Sequence, residues 1–251
     1  MAAPSASLRR VLWSWHRRAG VVVAVLVILL SGTGVALNHT ESLGLDERFV
    51  ESAWLLDWYG VEAPEAGFGF LAGTARVTLL GDHLYADTTL VGEPFNALHG
   101  AVALDGLVAV AADQDVLLLT PEFELVERLD RYEGVPPDLR GVGVTADGRV
   151  VLRTEQGLWL ADADFLSWTS IPERTDVRWA VPGEVPGKLL AALREDFRGR
   201  LLTLERALLD LHSGRLFGRF GPLVMDFAAI LMGVLALSGF WLWSASRNPR
   251  R

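Results

Sequence analysis

Two apolar stretches near the ends of this 251-residue chain constrain its fold more than any other feature. Gly20–Leu37 runs eighteen residues without a charge. As a helix it would extend about 27 Å, close to one hydrocarbon core. Pro222–Trp243 adds 22 residues with a single acid, Asp226. Proline suits the first turn of a helix, where its missing N–H is no loss. Trp13 and Trp15 flank the first stretch, and Trp241 and Trp243 close the second, as in an interfacial aromatic belt.

Charge gives these spans a direction. The net charge of -8 is unevenly spread. Arg9, Arg10, Arg17 and Arg18 precede the first span, with no acid among residues 1–39. Arg247, Arg250 and Arg251 follow the second. Between Thr40 and Gly221 there are 30 acids against 16 basic residues. By the positive-inside rule both termini are cytoplasmic and the acidic middle lies outside. Arg215 and Arg219 stand on the outer side, where long translocated segments are largely exempt from the rule. A cleaved signal peptide is the rival reading of the first span. The apolar run exceeds the usual length and no A-x-A site follows, so an uncleaved anchor is expected.

Leu30-Ser31-Gly32 and Leu237-Ser238-Gly239 occur late in the two spans, and Gly20 and Gly221 open them. Small residues permit close helix packing in lipid. Two helices make a thin bundle, which a homodimer would bring to four.

The middle reads as β-rich. Glu41–Gly60 is an irregular or helical approach carrying Trp54 and Trp58, and Pro64–Gly73 is a glycine-rich loop. From Arg76, short Val/Leu/Tyr runs alternate with turn residues. Residues 104–129 and 146–171 align at an offset of 42: Asp105-Gly106 on Asp147-Gly148, Gln114 on Gln156, Phe123 on Phe165. A weaker copy covers Arg76–Phe95. Such periods match propeller blades, but three units are fewer than closed propellers use. An open, blade-like domain with edges to cover is expected. Asp105, Asp113, Asp147 and Asp162 are read as turn residues, because the D-x-D-x-D-G calcium pattern is missing. After Gly187 the pattern is helical again, with Leu204, Leu208 and Leu211 on one face and a stop at Ser213-Gly214.

The fold class is therefore membrane α plus β: two transmembrane helices bracketing a β-rich periplasmic domain with propeller-like repeats and a short helical segment. The expected organisation is a cytoplasmic tail over 1–18, a first span over 19–38, and a periplasmic approach over 39–75. A β domain over 76–186 and a helical approach over 187–218 follow. The second span covers 219–244, with a cytoplasmic tail over 245–251.

Five histidines and one intramembrane acid are the candidate chemistry. His16 sits at the inner mouth of the first span and His39 just past its outer end, 23 residues away, so they cannot share a metal within one chain. His39 and His212 could meet at the outer face, where a bis-histidine haem is chemically reasonable. The competing reading is a pair of interfacial polar anchors. His83 and His99 read as ordinary residues of the β domain, with His99, in Ala97-Leu98-His99-Gly100, a weaker ligand candidate. Asp226 is a functional candidate by its position in a span, with Arg215 and Arg219 as partners and helix capping as the simpler role.

Zero cysteine excludes disulfides, thiolate metal sites and a cysteine nucleophile. No basic patch suits nucleic acid. No GxGxxG, P-loop, GxSxG or HExxH occurs.

The ends carry a family likeness. Trp13-Ser14-Trp15-His16-Arg17-Arg18-Ala19-Gly20 leads to Leu30-Ser31-Gly32-Thr33-Gly34 and Asn38-His39. Asp210-Leu211-His212-Ser213-Gly214-Arg215-Leu216-Phe217-Gly218 leads to Gly221-Pro222, Asp226 and Ser238-Gly239-Phe240-Trp241-Leu242-Trp243. Together these roughly 80 residues resemble the PepSY-associated transmembrane helix family of bacterial inner-membrane proteins. The resemblance implies an inner-membrane protein with a periplasmic domain. Some larger relatives are linked to iron uptake and reduce ferric siderophores through haem held by membrane histidines, and on that resemblance His16, His39 and His212 are the positions to test. This chain has two spans rather than about four, and no histidine in the second.

The leading expectation is a two-pass protein in contact with the bilayer, with a periplasmic domain that binds a partner or ligand, accessory to an iron-related or redox membrane system. One alternative is a haem b electron-transfer subunit acting as a ferric-siderophore reductase. The other is a structural or regulatory subunit docked on a larger complex.

Overall fold

The apolar end stretches become two long helices, α1 (Ala6–Asn38) and α6 (Gly221–Arg247). The computed structural model describes residues 6–65 and 68–247. Arg250, Arg251 and residues 1–5 of the expected tails lie outside the described residues. The chain divides into two units: the chain up to Val61 together with everything from Gly199, and Glu62–Arg198.

In the first unit, the apolar run of α1 begins with Val21, Val22, Val23, Val25 and Val27, β-branched residues that are mediocre helix formers in water. In lipid the backbone has no other hydrogen-bond partner, so the helix is enforced. Both helices are long and apolar enough to cross a membrane. They pack antiparallel along a narrow seam. Val23 and Thr33 on α1 and Ala228 and Leu235 on α6 are buried, while Ile28 and Leu237 are more than 70 % exposed. The outward faces are thus shaped for lipid.

Between the spans, the first unit adds α2 (Thr40–Leu43), α3 (Ala53–Trp58) and, after the excursion through the second unit, α5 (Leu204–His212). Phe49 bridges to Thr203, and the Val50 amide donates to the Leu202 carbonyl. Val50, Leu56 and Leu202 form a small core there, lined by Leu204. Thr203 caps α5 by accepting from the Arg206 amide. The expected stop holds: Ser213 ends α5 and Gly214 takes φ 78°. A 3-10 turn, Arg215–Phe220, then delivers the chain to α6, broken at Gly218 with φ 74°. Pro222 falls in the first turn of α6, as expected.

The second unit is built of antiparallel sheets. The first holds β1 (Phe68–Ala72), β2 (Ala75–Leu80), β3 (His83–Ala86) and β4 (Thr89–Gly92). The second holds β5 (Leu98–Ala103), β6 (Val108–Ala112), β7 (Asp115–Leu119) and β8 (Leu125–Leu129). The third holds β9 (Leu139–Thr145), β10 (Val150–Thr154), β11 (Gly157–Ala161), β12 (Trp168–Ile171) and, on its far edge, β13 (Val177–Trp179). β14 (Pro182–Glu184) returns to pair with β1, and α4 (Gly187–Gly199) follows.

The repeat at offset 42 falls on equivalent strands: β6 on β10 and β7 on β11. Gly106 and Gly148 occupy matching turns at φ 76° and 82°, and Phe123 and Phe165 both adopt positive φ. The three sheets keep free edges, and no closed barrel or propeller forms among the described residues. Strand β1 lies inside the stretch expected to be a loop. Its glycine lets the Thr78 and Arg76 side chains of the paired strand approach where a Cβ at Gly69 would be 2.7–2.8 Å away. Glycine there marks close strand packing.

Two cores separate the sheets. Val110, Leu117 and Leu84 fill the one between the first and second, and Val116, Val142 and Leu152 fill the one between the second and third. α4 covers the first sheet with Leu193 and Phe197 against Leu80 and Tyr85.

Candidate functional site

Each end of the helical hairpin is closed by a histidine from one helical segment resting on a hydroxyl and a glycine of the other. At the end bearing the chain termini, His16 Nδ1 lies 2.8 Å from Ser238 Oγ. A Cβ at Gly239 would stand 3.3 Å from His16 Cε1, so the glycine makes room for the ring. At the opposite end, His212 Nδ1 lies 2.8 Å from Thr33 Oγ1, and a Cβ at Gly34 would stand 3.5 Å from His212 Cε1. His16 and Thr33 are seventeen residues apart on α1, about 26 Å along the axis. The two imidazoles therefore sit roughly a membrane thickness apart.

The hydroxyls orient the rings. Ser238 Oγ donates its only proton to the Leu235 carbonyl at 3.0 Å. Thr33 Oγ1 donates to the Leu29 carbonyl at 2.8 Å. Back-bonding of this kind is ordinary for Ser and Thr in a helix. With the hydroxyl proton spent, each oxygen can only accept, so Nδ1–H of each histidine is the donor. Nε2 of each ring has no hydrogen-bond partner among the described residues. A neutral imidazole held by one nitrogen with its other lone pair free is the form that ligates metals.

The sequence-identified residues separate here. His16 and His212 are both held, at opposite ends. His39 is exposed and contributes through its backbone: its carbonyl accepts from the Leu43 amide and Ser42 hydroxyl at the α1–α2 junction. His212 rests on Thr33, six residues before His39 on α1. Asp226 is exposed on α6 and makes no ion pair with Arg215 or Arg219 among the described residues. The break at Gly218 sits between those arginines, and Arg219 lies over the Phe220 ring, 4.6 Å from its centroid. Ser31-Gly32 is not the counterpart of Ser238-Gly239. Gly32 faces open space, whereas Thr33-Gly34, two residues on and about 200° around the helix, faces the histidine. Thr33 is the residue that sequence reading missed. Its signal was a hydroxyl residue directly before a glycine, as at Ser238-Gly239.

Beside His212, the opposite flank of α5 carries Asp210, 4 % exposed. Its Oδ2 accepts from Arg206 Nε at 3.1 Å, while Oδ1 and the Tyr59 hydroxyl are both buried without a hydrogen bond. Burial and the neighbouring Asp210 carboxylate push the Tyr59 phenol up to about 12.

The other histidines belong to the β unit. His83 is buried, with Nδ1 2.8 Å from Asp82 and Nε2 2.5 Å from Glu93, and packs edge-on to Phe197. Its hydrogen bond holds the Asp82 carboxyl below the usual range. His99 Nε2 donates to the Asp113 carbonyl at 2.9 Å. The aspartates read as turn formers do turn work: Asp113 accepts from the Asn96 and Ala97 amides, and Asp162 from Leu166 and Ser167.

A family model described as PepSY-associated TM region matches residues 2–246. The match thus runs through the β-rich middle as well as the two ends. No curated protein and no solved structure matches the chain.

Proposed function

The chain belongs to the PepSY-associated transmembrane family, and on that premise we propose that it is a two-pass protein of the bacterial inner membrane, accessory to an iron-related or redox membrane system. In this reading both termini are cytoplasmic and the β-rich domain is periplasmic, following the arginine flanks of the spans and the acidic middle. The free edge strands of that domain, such as β8 with Leu125 and Val126 exposed, are where a partner would pair.

The observation that carries the redox association is the pair of oriented histidines. His16 and His212 are each held through Nδ1 by a hydroxyl, one at each end of the hairpin, and each has an Nε2 without a hydrogen-bond partner among the described residues. A lone imidazole is half of a bis-histidine site. A homodimer or a larger membrane complex would supply the other half, which makes the chain an accessory rather than a self-sufficient reductase.

The same observation favours a second reading, in which haem b is held at those positions and the protein is an electron-transfer subunit acting on ferric siderophores. Three features support this reading: Nε2 has no partner among the described residues, Ser238 and Thr33 orient the rings, and Gly239 makes room for the His16 ring edge. Bound haem would supply one-electron transfer. The chain's own residues would position it, exclude water through the apolar seam, and set the ring orientation. His39 is retained as a test position, although its exposure fits an anchor better.

The experiment is a visible spectrum of the protein in mild detergent, oxidised and then dithionite-reduced, after expression with haem supplied. A Soret band lost in His16→Ala or His212→Ala, and kept in His39→Ala, supports haem at the hairpin ends. No Soret band in the protein alone or co-purified with its complex ends the haem reading and leaves the structural, docking role.

A further inference from the structure

Four large aromatic side chains crowd the loop-side end of the hairpin without being part of its core. Trp54 is 70 % exposed, Trp58 58 %, and Phe217 and Phe220 60 % each. Exposed aromatic clusters of this kind mark a contact surface rather than an ordinary aqueous one.

The geometry ties the cluster to the start of a span. Trp58 Nε1 donates to the Leu216 carbonyl at 2.8 Å, which fastens α3 to the 3-10 turn. Trp54 stacks beside Trp58 with ring centroids 6.1 Å apart. The turn runs directly into α6, whose first exposed apolar residues are Leu223 and Val224. The aromatic patch is therefore continuous with the lipid-facing surface of the span. Trp58 has spent its single donor, so its exposed ring faces offer apolar surface only.

We infer that α3 and the 3-10 turn form an interfacial collar, with Trp54, Trp58, Phe217 and Phe220 embedded at the boundary between headgroups and acyl chains. Trp and Phe are side chains that interfacial segments bury at that boundary. Arg215 and Arg219 are exposed on the same turn, at the level where lipid phosphates lie. The collar fixes the depth of the hairpin, and with it the depth of the His212–Thr33 contact. The inference rests on residence in a bilayer and is independent of any redox role.

The cysteine-free chain permits a clean test. Trp54→Cys and Phe217→Cys are nitroxide-labelled in the full-length protein and reconstituted into phosphatidylcholine/phosphatidylglycerol vesicles. Collision with oxygen and with a water-soluble nickel chelate is read by power saturation. Tyr132→Cys, 96 % exposed in the β unit, is the aqueous reference and Ile28→Cys the lipid reference. Embedded to about 5–10 Å, the collar labels meet the chelate at least about fivefold less than Tyr132→Cys while oxygen still reaches them. Chelate access equal to that at Tyr132→Cys overturns the inference. Protection from both oxygen and chelate also overturns it, because that signature belongs to a protein surface. A water-like signal at Ile28→Cys would show failed insertion, the separate failure of the membrane reading. Phe220→Cys stands in where Trp54→Cys fails to reconstitute.

Discussion

His212 Nδ1 lies 2.8 Å from Thr33 Oγ1, and because that hydroxyl donates to Leu29, the histidine must be the donor. The same logic joins His16 to Ser238. Two rings, each oriented through Nδ1 and each with an Nε2 that has no hydrogen-bond partner among the described residues, are thus set into the hairpin by two hydroxyl residues.

Thr33→Val removes the acceptor while keeping the shape. It leaves the half-buried His212 N–H unsatisfied, at a cost of about 1–3 kcal/mol. Thr33→Ser should retain the wild-type behaviour. Nitrogen NMR of labelled histidine should show His212 protonated at Nδ1 in the wild type and a mixture of tautomers in Thr33→Val. An unchanged tautomer in Thr33→Val refutes the assignment, and Ser238→Ala tests His16 in the same way.

Gly214 and Gly221 touch so closely that a Cβ at Gly221 would sit 1.7 Å from the Gly214 carbonyl oxygen. A Cβ at Gly214 would sit 2.6 Å from the Gly221 oxygen, at φ 78°. Gly221→Ala and Gly214→Ala should each cost about 3 kcal/mol or more, since neither backbone can yield without unseating α6. Gly20→Ala and Gly233→Ala face open space and should be close to neutral. The monodisperse fraction in detergent chromatography after a heating series separates the two groups.

Tyr59 titrates high because burial and the Asp210 carboxylate disfavour the phenolate. Its folded value of about 12 exceeds the ordinary 10, so its contribution to stability is complete below pH 10 and is lost between 10 and 12. Asp210→Asn should bring the Tyr59 transition down towards 10. Absorbance at the phenolate band, in a Tyr85→Phe/Tyr132→Phe background, reads it directly.

His83 bonds two carboxylates and packs on Phe197. His83→Ala should destabilise the β unit by about 2 kcal/mol or more, through a cavity and two acids left facing one another. Asp82, held below its ordinary range, contributes stability above that range and loses it as pH falls through its folded value. The difference between wild type and His83→Ala should therefore shrink below about pH 4 in denaturant melts of the full chain.

The sequence by itself determined what solvent and local chemistry dictate. Eighteen uncharged residues from Gly20 can only be a helix in lipid, and Asp105-Gly106 and Asp147-Gly148 can only be turns of equivalent hairpins. Periodicity placed β6 with β10 and ended α5 at Ser213-Gly214. Strand β1 was hidden because its glycines signal a loop until a paired strand explains them. The partners of His16 and His212 were equally hidden. Sequence spacing brings His39 to the same membrane face as His212, but the choice between His39, Ser31 and Thr33 is a matter of helix rotation. Only the packing of α1 against α5 and α6 sets that angle. One hydroxyl turned into the seam decides which nitrogen of each histidine remains free.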